Sequence, residues 1–240
     1  MAKRLKPLLL LSLALFLYAR LSDGTILFYI NHRFVWLIWV AVVVLGIVIV
    51  SYRVTRHLPS GNPPEHGHGL RWYTVGILLL PVLLGLLVPA QPLGTTALAN
   101  RELNVALQTA LTVSSRTIRQ AVEQRDPTLL DWVGAFQQES DLSAFVGETT
   151  ELTGFVYRQD GLPPDTWLLS RFVVTCCVAD AIAVGLAVRA PDLVPPENDQ
   201  WVEVRGQFDV EIRDGKQVAV LVADSVTYIG QPQQPYLYPR

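Results

Sequence analysis

The sequence predicts a membrane protein in two parts. An N-terminal α-helical transmembrane block occupies residues 1–92, and a C-terminal, mostly β small barrel (OB-like) occupies residues 146–240; a helical stalk over 93–145 links them. Three observations carry this reading. Half of the 240 residues are apolar and only 17% are charged, with a mean hydropathy of +0.32. The long apolar runs are confined to the first 90 residues. The hydrophobic period then changes from helical to alternating near Thr149.

Three segments are long enough to cross a bilayer: Leu5–Ser22, Phe34–Ser51 and Trp72–Pro89. Each has 18 residues, which at ~1.5 Å per residue reach ~27 Å, close to the hydrocarbon thickness. The second contains no charged residue; the third carries Pro81 at its centre, where a kink is expected. Trp36, Trp39, Tyr52, Trp72 and Tyr73 lie near the ends, where amphipathic rings favour the interface. The first segment follows the basic start MAKRLK but lacks a small-x-small cleavage pattern, so it reads as a retained helix. The stretch TILFYINHR is too short to cross and either extends the first helix or lies in the interface.

Lys3, Arg4, Lys6, Arg53, Arg56 and Arg71 fall on one side of these spans, against Arg20 and Arg33 on the other. The positive-inside rule then makes the N-terminus cytoplasmic. Three crossings leave the C-terminal domain extracytoplasmic. The expected location is the bacterial cell (plasma) membrane, multi-pass, with the lipid bilayer as the first partner. Outside their end turns the spans hold no Asp, Glu, Lys, Arg or His, so they lack the intramembrane polar groups with which a transporter relays cargo.

Within the stalk, Leu103, Leu107, Leu111, Ile118 and Val122 form one apolar stripe of a helix over Asn100–Gln124. A second helix is expected to start with Asp126 as its cap and Pro127 at its first position. Five strands follow: Thr149–Arg158, Leu168–Val178, Val184–Ala190, Trp201–Ile212 and Gln217–Ile229. The turn runs DGLPPD, PDLVPPEND and RDGK separate them, and Asp214–Gly215 is a strong hairpin signal. Five strands in so short a stretch suit a small closed barrel of the OB type; a small sandwich is the alternative.

From residue 146 onward there are 7 Lys/Arg against 13 Asp/Glu, which repels a phosphate backbone and excludes nucleic acid as a partner of this domain. No GxSxG, Walker, GxGxxG or HExxH pattern is present, and the domain has no histidine to serve a nucleophile, so no enzyme is expected. Asp160, Asp165, Asp192, Glu197 and Asp199 read as solvated loop acids.

Two clusters could hold a metal. Cys176 and Cys177 stand at the end of an expected strand, where neighbours point to opposite faces. Cys176 falls in the apolar row with Phe172 and Val174 and reads as a small buried residue. Cys177, with Asp180 in the following turn, could supply two ligands of a soft-metal site that needs at least one more. The second cluster is His57, His66 and His68 in a Pro/Gly-rich loop beside Glu65, which reads as a transition-metal site or as a solvated loop. With three spans the two clusters lie on opposite sides of the membrane and cannot share an ion.

The runs GFVYR (Gly154–Arg158), RFVVTCCVADA (Arg171–Ala181) and WVEVRGQF (Trp201–Phe208), with the tail QPQQPYLY (Gln231–Tyr238), resemble the YcgQ-like family of bacterial membrane proteins. The resemblance spans nearly the whole chain. It implies a membrane region followed by a domain of unknown function, encoded beside a multi-spanning permease protein in a two-gene cassette and in some cases linked with zinc supply. The expectation is an accessory permease subunit whose outer domain binds or gates a small cargo, zinc among the candidates. The alternative is a membrane-tethered OB-like interaction module of the cell envelope without transport activity.

Overall fold

The computed structural model describes residues 2–55, 72–99, 127–139, 141–213 and 215–239. The expected Asn100–Gln124 helix, the Asp126 cap and the loop holding His57, His66 and His68 lie outside the described residues. The chain forms two compact units, Met1–Gln91 and Pro92–Arg240.

The first unit has three helices: α1 (Ala2–Ser22), α2 (Val35–Thr55) and α3 (Trp72–Leu87), which continues through Pro81. One of them, over His32–Val54, is long and apolar enough to cross a membrane; Pro7–Ser22 and Val75–Leu87 are shorter apolar stretches. Side chains along α2, among them Trp36, Val43, Ile47 and Val50, are exposed on the isolated chain. Such a surface requires lipid or another protein over it. Phe16 of α1 fills the notch left by Gly85 of α3, where a Cβ would collide with the ring. Arg20 lies over the Phe16 ring at 5.5 Å, donates to the Gly85 carbonyl and pairs with Asp23 at 3.4 Å. The TILFYINHR stretch does not extend α1. Gly24 takes φ +74° and stops the helix, and two 3-10 turns, Thr25–Phe28 and His32–Phe34, lead to α2.

The second unit begins with α4 (Thr95–Ala99), then α5 (Leu129–Gln138). The cap of α5 is Thr128, not Asp126. The Thr128 hydroxyl accepts from the Asp131 N–H and the Asp131 carboxylate accepts from the Thr128 N–H, a complete capping box. Pro127 therefore precedes the cap and is not the first helical residue.

Five strands follow: β1 (Thr149–Tyr157), β2 (Thr166–Val173), β3 (Ile182–Arg189), β4 (Trp201–Arg213) and β5 (Lys216–Tyr228). Their order is β1-β2-β3-β5-β4, and β4 pairs back onto β1, so the pairings run in a closed ring. All neighbours are antiparallel except β3 and β5. Arg213 pairs with Lys216 across the β4–β5 hairpin, with Gly215 at φ +74° in the turn.

Alternate residues of each strand point inward. Leu152, Val156, Trp167, Leu169, Val184, Leu186, Val188, Val202, Val204, Phe208 and Leu221 form the core. Helix α5, assigned from the sequence to the linker, belongs to this core through Leu129, Trp132 and Val133. The Trp132 ring lies 4.6 Å from that of Phe208, and its Nε1 donates to Thr150 Oγ1 at 2.9 Å. The indole is thus buried with its one polar atom satisfied.

Strand β4 pairs with β1 on one side and β5 on the other, and its ladder to β5 shifts between Arg205 and Gly206. A Cβ on Gly206 would strike the Val222 carbonyl, so only glycine permits this approach. Gly206→Ala is expected to lower the stability of this unit by roughly 1–3 kcal/mol, the range of an overpacked core site. Thermal unfolding of the detergent-solubilised chain, followed by tryptophan fluorescence, measures it.

Candidate functional site

The RFVVTCCVADA run reaches from the end of β2 into the loop before β3. Its geometry follows from where β2 loses its partner. β1 pairs with β2 only as far as Phe155 opposite Ser170. Beyond that point the C-terminal tail takes the free edge. Leu237 N–H donates to the Phe172 carbonyl at 2.8 Å, and Val174 N–H donates to the Leu237 carbonyl at 3.0 Å.

Arg171 fastens the tail further. Its Nε donates to the Pro235 carbonyl at 3.2 Å and its Nη2 to the Gln234 carbonyl at 2.7 Å. Its guanidinium carbon lies 5.7 Å from the centre of the Trp201 ring. Burial pulls its pKa down to about 10, against the opposing pull of Tyr238, and it stays charged at neutral pH. Around it Phe155 stacks on Phe172 at 5.8 Å and meets Trp201 edge-on at 5.8 Å. Tyr236 is buried in the same cluster and accepts the Leu93 N–H at 2.9 Å. The Asp199 carboxylate accepts from Thr95 N–H and Thr95 Oγ1, both at 2.6 Å. The N-terminal end of the unit is thereby tied to the C-terminal tail and to the loop before β4, and the tail to β2.

Past Val174 the chain turns and does not run on as strand. One Asp180 carboxylate oxygen accepts the Thr175 N–H at 3.0 Å, the other the Cys176 N–H at 2.7 Å. In return Asp180 N–H donates to the Cys177 carbonyl at 3.0 Å. This side-chain-to-backbone closure competes successfully with the strand. It corrects two expectations. Cys176 is exposed, not buried in the apolar row, and Cys177 is half-buried. The two thiols also share a side, with their sulfurs 3.8 Å apart, because the alternation of a strand no longer applies.

Burial opposes ionisation of Asp180. Hydrogen bonds from the Cys176 thiol and from the N–H groups of Cys176, Thr175 and Cys177 outweigh it and hold the carboxyl below its ordinary value. The same contact, with the Cys177 thiol adding to it, pushes Cys176 up to about 11. Asp180 therefore shapes the loop and holds the Cys176 proton. Among the described residues no group of three or more His, Cys, Asp or Glu side chains is placed to hold a metal ion.

The sequence reading missed the tail. The signals that could have found it are Arg171 in an otherwise apolar strand and the Pro-Tyr-Leu-Tyr ending, too apolar to be a loose terminus.

A small β domain closed on itself, carrying apolar helices at its N-terminal side and a vicinal thiol pair in a fixed loop, defines the class. The chain belongs to the DUF1980 family: its N-terminal domain matches residues 5–104 and its C-terminal domain residues 112–239. This bears out the YcgQ-like resemblance. A relative in Streptococcus mutans serotype c (strain ATCC 700610 / UA159), named as a candidate subunit of a two-component membrane permease complex, is 25% identical over 92% of this chain and 94% of its own length. The UPF0703 protein YcgQ of Bacillus subtilis (strain 168) is 20% identical over 96% of this chain and 98% of its own.

Two outcomes test this site. Arg171→Met removes both tail contacts and is expected to expose the last residues to carboxypeptidase at least tenfold faster. Asp180→Asn removes the carboxylate that raises the Cys176 pKa, so the thiolate fraction at pH 9 should rise on the order of tenfold. Alkylation rates of Cys176 across pH 8–11 read that change directly.

Proposed function

We propose that this chain is a non-catalytic accessory subunit of a multi-spanning permease in a bacterial cell membrane. Its helices anchor it in the bilayer, and its small OB-like barrel lies outside the cytoplasm, where it captures or gates a small cargo. The observation that carries this reading is end-to-end similarity to a relative named as a candidate permease-complex subunit. The match covers the helical block as well as the sheet domain, so it concerns the whole architecture.

The helices support the same reading from chemistry. From Val35 to Tyr52 α2 carries no ionisable group other than tyrosine, and α3 carries none besides Tyr73. Helices of this kind hold a protein in lipid or against other helices, but they offer a cation no ligand on its way across. A second, larger protein must then supply the pathway. The closed ring with β3 parallel to β5 supports the OB-like description of the outer domain.

Affinity purification of the tagged chain from mild detergent is expected to bring down one multi-spanning membrane protein in fixed ratio. A chain that purifies alone under several detergents, from cells whose cargo uptake is unaffected by its deletion, would contradict the permease reading. An altered envelope in that deletion strain would point to the tethered interaction module instead.

A further inference from the structure

We propose that residues 92–99 form a strap that sets the state of the β2–β3 loop: docked, the strap seats the loop and keeps Cys177 half-buried; released, it frees the loop and opens Cys177 to solvent. The inference leans on the permease-subunit reading only for what moves the strap, not for whether strap and loop are coupled.

Three observations lead to it. The first is what the loop rests on. Val174, Val178 and Ala181 bracket the two cysteines, and all three pack into one apolar cluster. The same cluster takes in Leu98 of the strap and Tyr236 of the tail, which are 1% and 3% exposed. The seat of the thiol loop is therefore built partly from the two ends of the unit.

The second is how the strap is held. Its helix α4 has five residues, too few to stand unsupported in water. The strap thus keeps its form only while it is docked. Polar contacts fasten it at Leu93, whose N–H meets the Tyr236 hydroxyl, and at Thr95, whose N–H and Oγ1 meet the Asp199 carboxylate.

The third is the residue that does the fastening. Asp199 has φ +65°, and among the described residues it is the one non-glycine residue with a positive φ. A conformation of this kind persists where its surroundings hold it, and such residues gather at switch points. Here the Asp199 N–H donates to the Val156 carbonyl at 3.0 Å, and its carboxylate holds Thr95. Gly94 makes room for the contact, since a Cβ there would strike that carboxylate.

Docking of the strap and seating of the loop are one event because they share a cluster. When Leu98 leaves, the base of the loop loses part of its support, and the loop opens at less cost than unfolding the ring. The position of the strap in the chain gives this a use. Pro92 is the first residue of the second unit, and a pull on the chain at Gln91 reaches Thr95 four residues on. By linkage the coupling runs both ways: whatever displaces the loop must loosen the strap.

The test uses the detergent-solubilised full chain and reads both directions. Asp199→Gly removes the carboxylate and leaves the backbone free to keep its φ. It is expected to speed maleimide labelling of Cys177 roughly fivefold or more. Gly206→Ala weakens the sheet at the β4–β5 ladder and serves as the control; at a temperature where both chains are folded it should leave that rate unchanged. No acceleration by Asp199→Gly, or equal acceleration by both, would overturn the inference. The reverse direction needs no substitution at the strap. In a Cys176→Ser chain, alkylation of Cys177 is expected to raise hydrogen exchange at the Leu93 and Thr95 N–H groups roughly fivefold or more. Exchange there that is indifferent to the adduct would overturn the inference equally. Failure here with a permease partner still co-purifying would remove the coupling and leave the subunit reading intact.

Discussion

The fold of the second unit depends on one strand, β4, pairing on both its edges over Val202–Gln207. β4 hydrogen-bonds to β1 from Trp201 to Gln207 and to β5 from Val202 to Arg213. A strand can do this in so small a sheet only by bending sharply, and the bend falls at Gly206. There the Val222 carbonyl occupies the space a side chain would need. Once β4 bends, the ring closes and its inward rows meet. Trp132 and Phe208 then fill the space between helix α5 and the sheet.

The stretch of β2 that β1 leaves unpaired is what gives the site its form. The tail from Gln234 to Leu237 supplies the hydrogen bonds that β1 does not, and Arg171 grips the tail through two carbonyls. Because the tail secures the chain as far as Val174, the next residues are free to turn. Asp180 then closes the turn on Thr175 and Cys176. The thiol pair is therefore the product of two constraints acting in sequence, a strand that ends early and a carboxylate six residues beyond its last tail contact. Neither cysteine contributes to the core.

Much of this was legible in the sequence. Strand positions followed from alternation and from turn residues, and the Asp-Gly hairpin marked the β4–β5 pairing. α2 was legible because a charge-free run of that length has few other destinations. The end of β2 was not legible, because Val174 is as apolar as a strand residue; its partner is a proline-rich tail with no alternation to reveal it. The exposure of Cys176 was misread for the same reason: the period-two rule was extended across residues that a local side-chain hydrogen bond had already turned. The helix cap was placed at Asp126 from the Asp-Pro pair, whereas the Thr128-x-x-Asp131 spacing carries the stronger, reciprocal hydrogen bonding.

On the proposed reading the two units divide the work: one is soluble in lipid and chemically inert, the other is folded around a rigid sheet and presents a pair of thiols. The central claim is that the apolar block carries the sheet domain across the membrane. Labelling of Cys176 and Cys177 in intact cells with a membrane-impermeant maleimide tests it most directly. The account predicts rapid labelling in intact cells or spheroplasts and little in sealed inverted vesicles. Labelling confined to inverted vesicles, or recovery of the chain in the soluble fraction after membranes are sedimented, would contradict it.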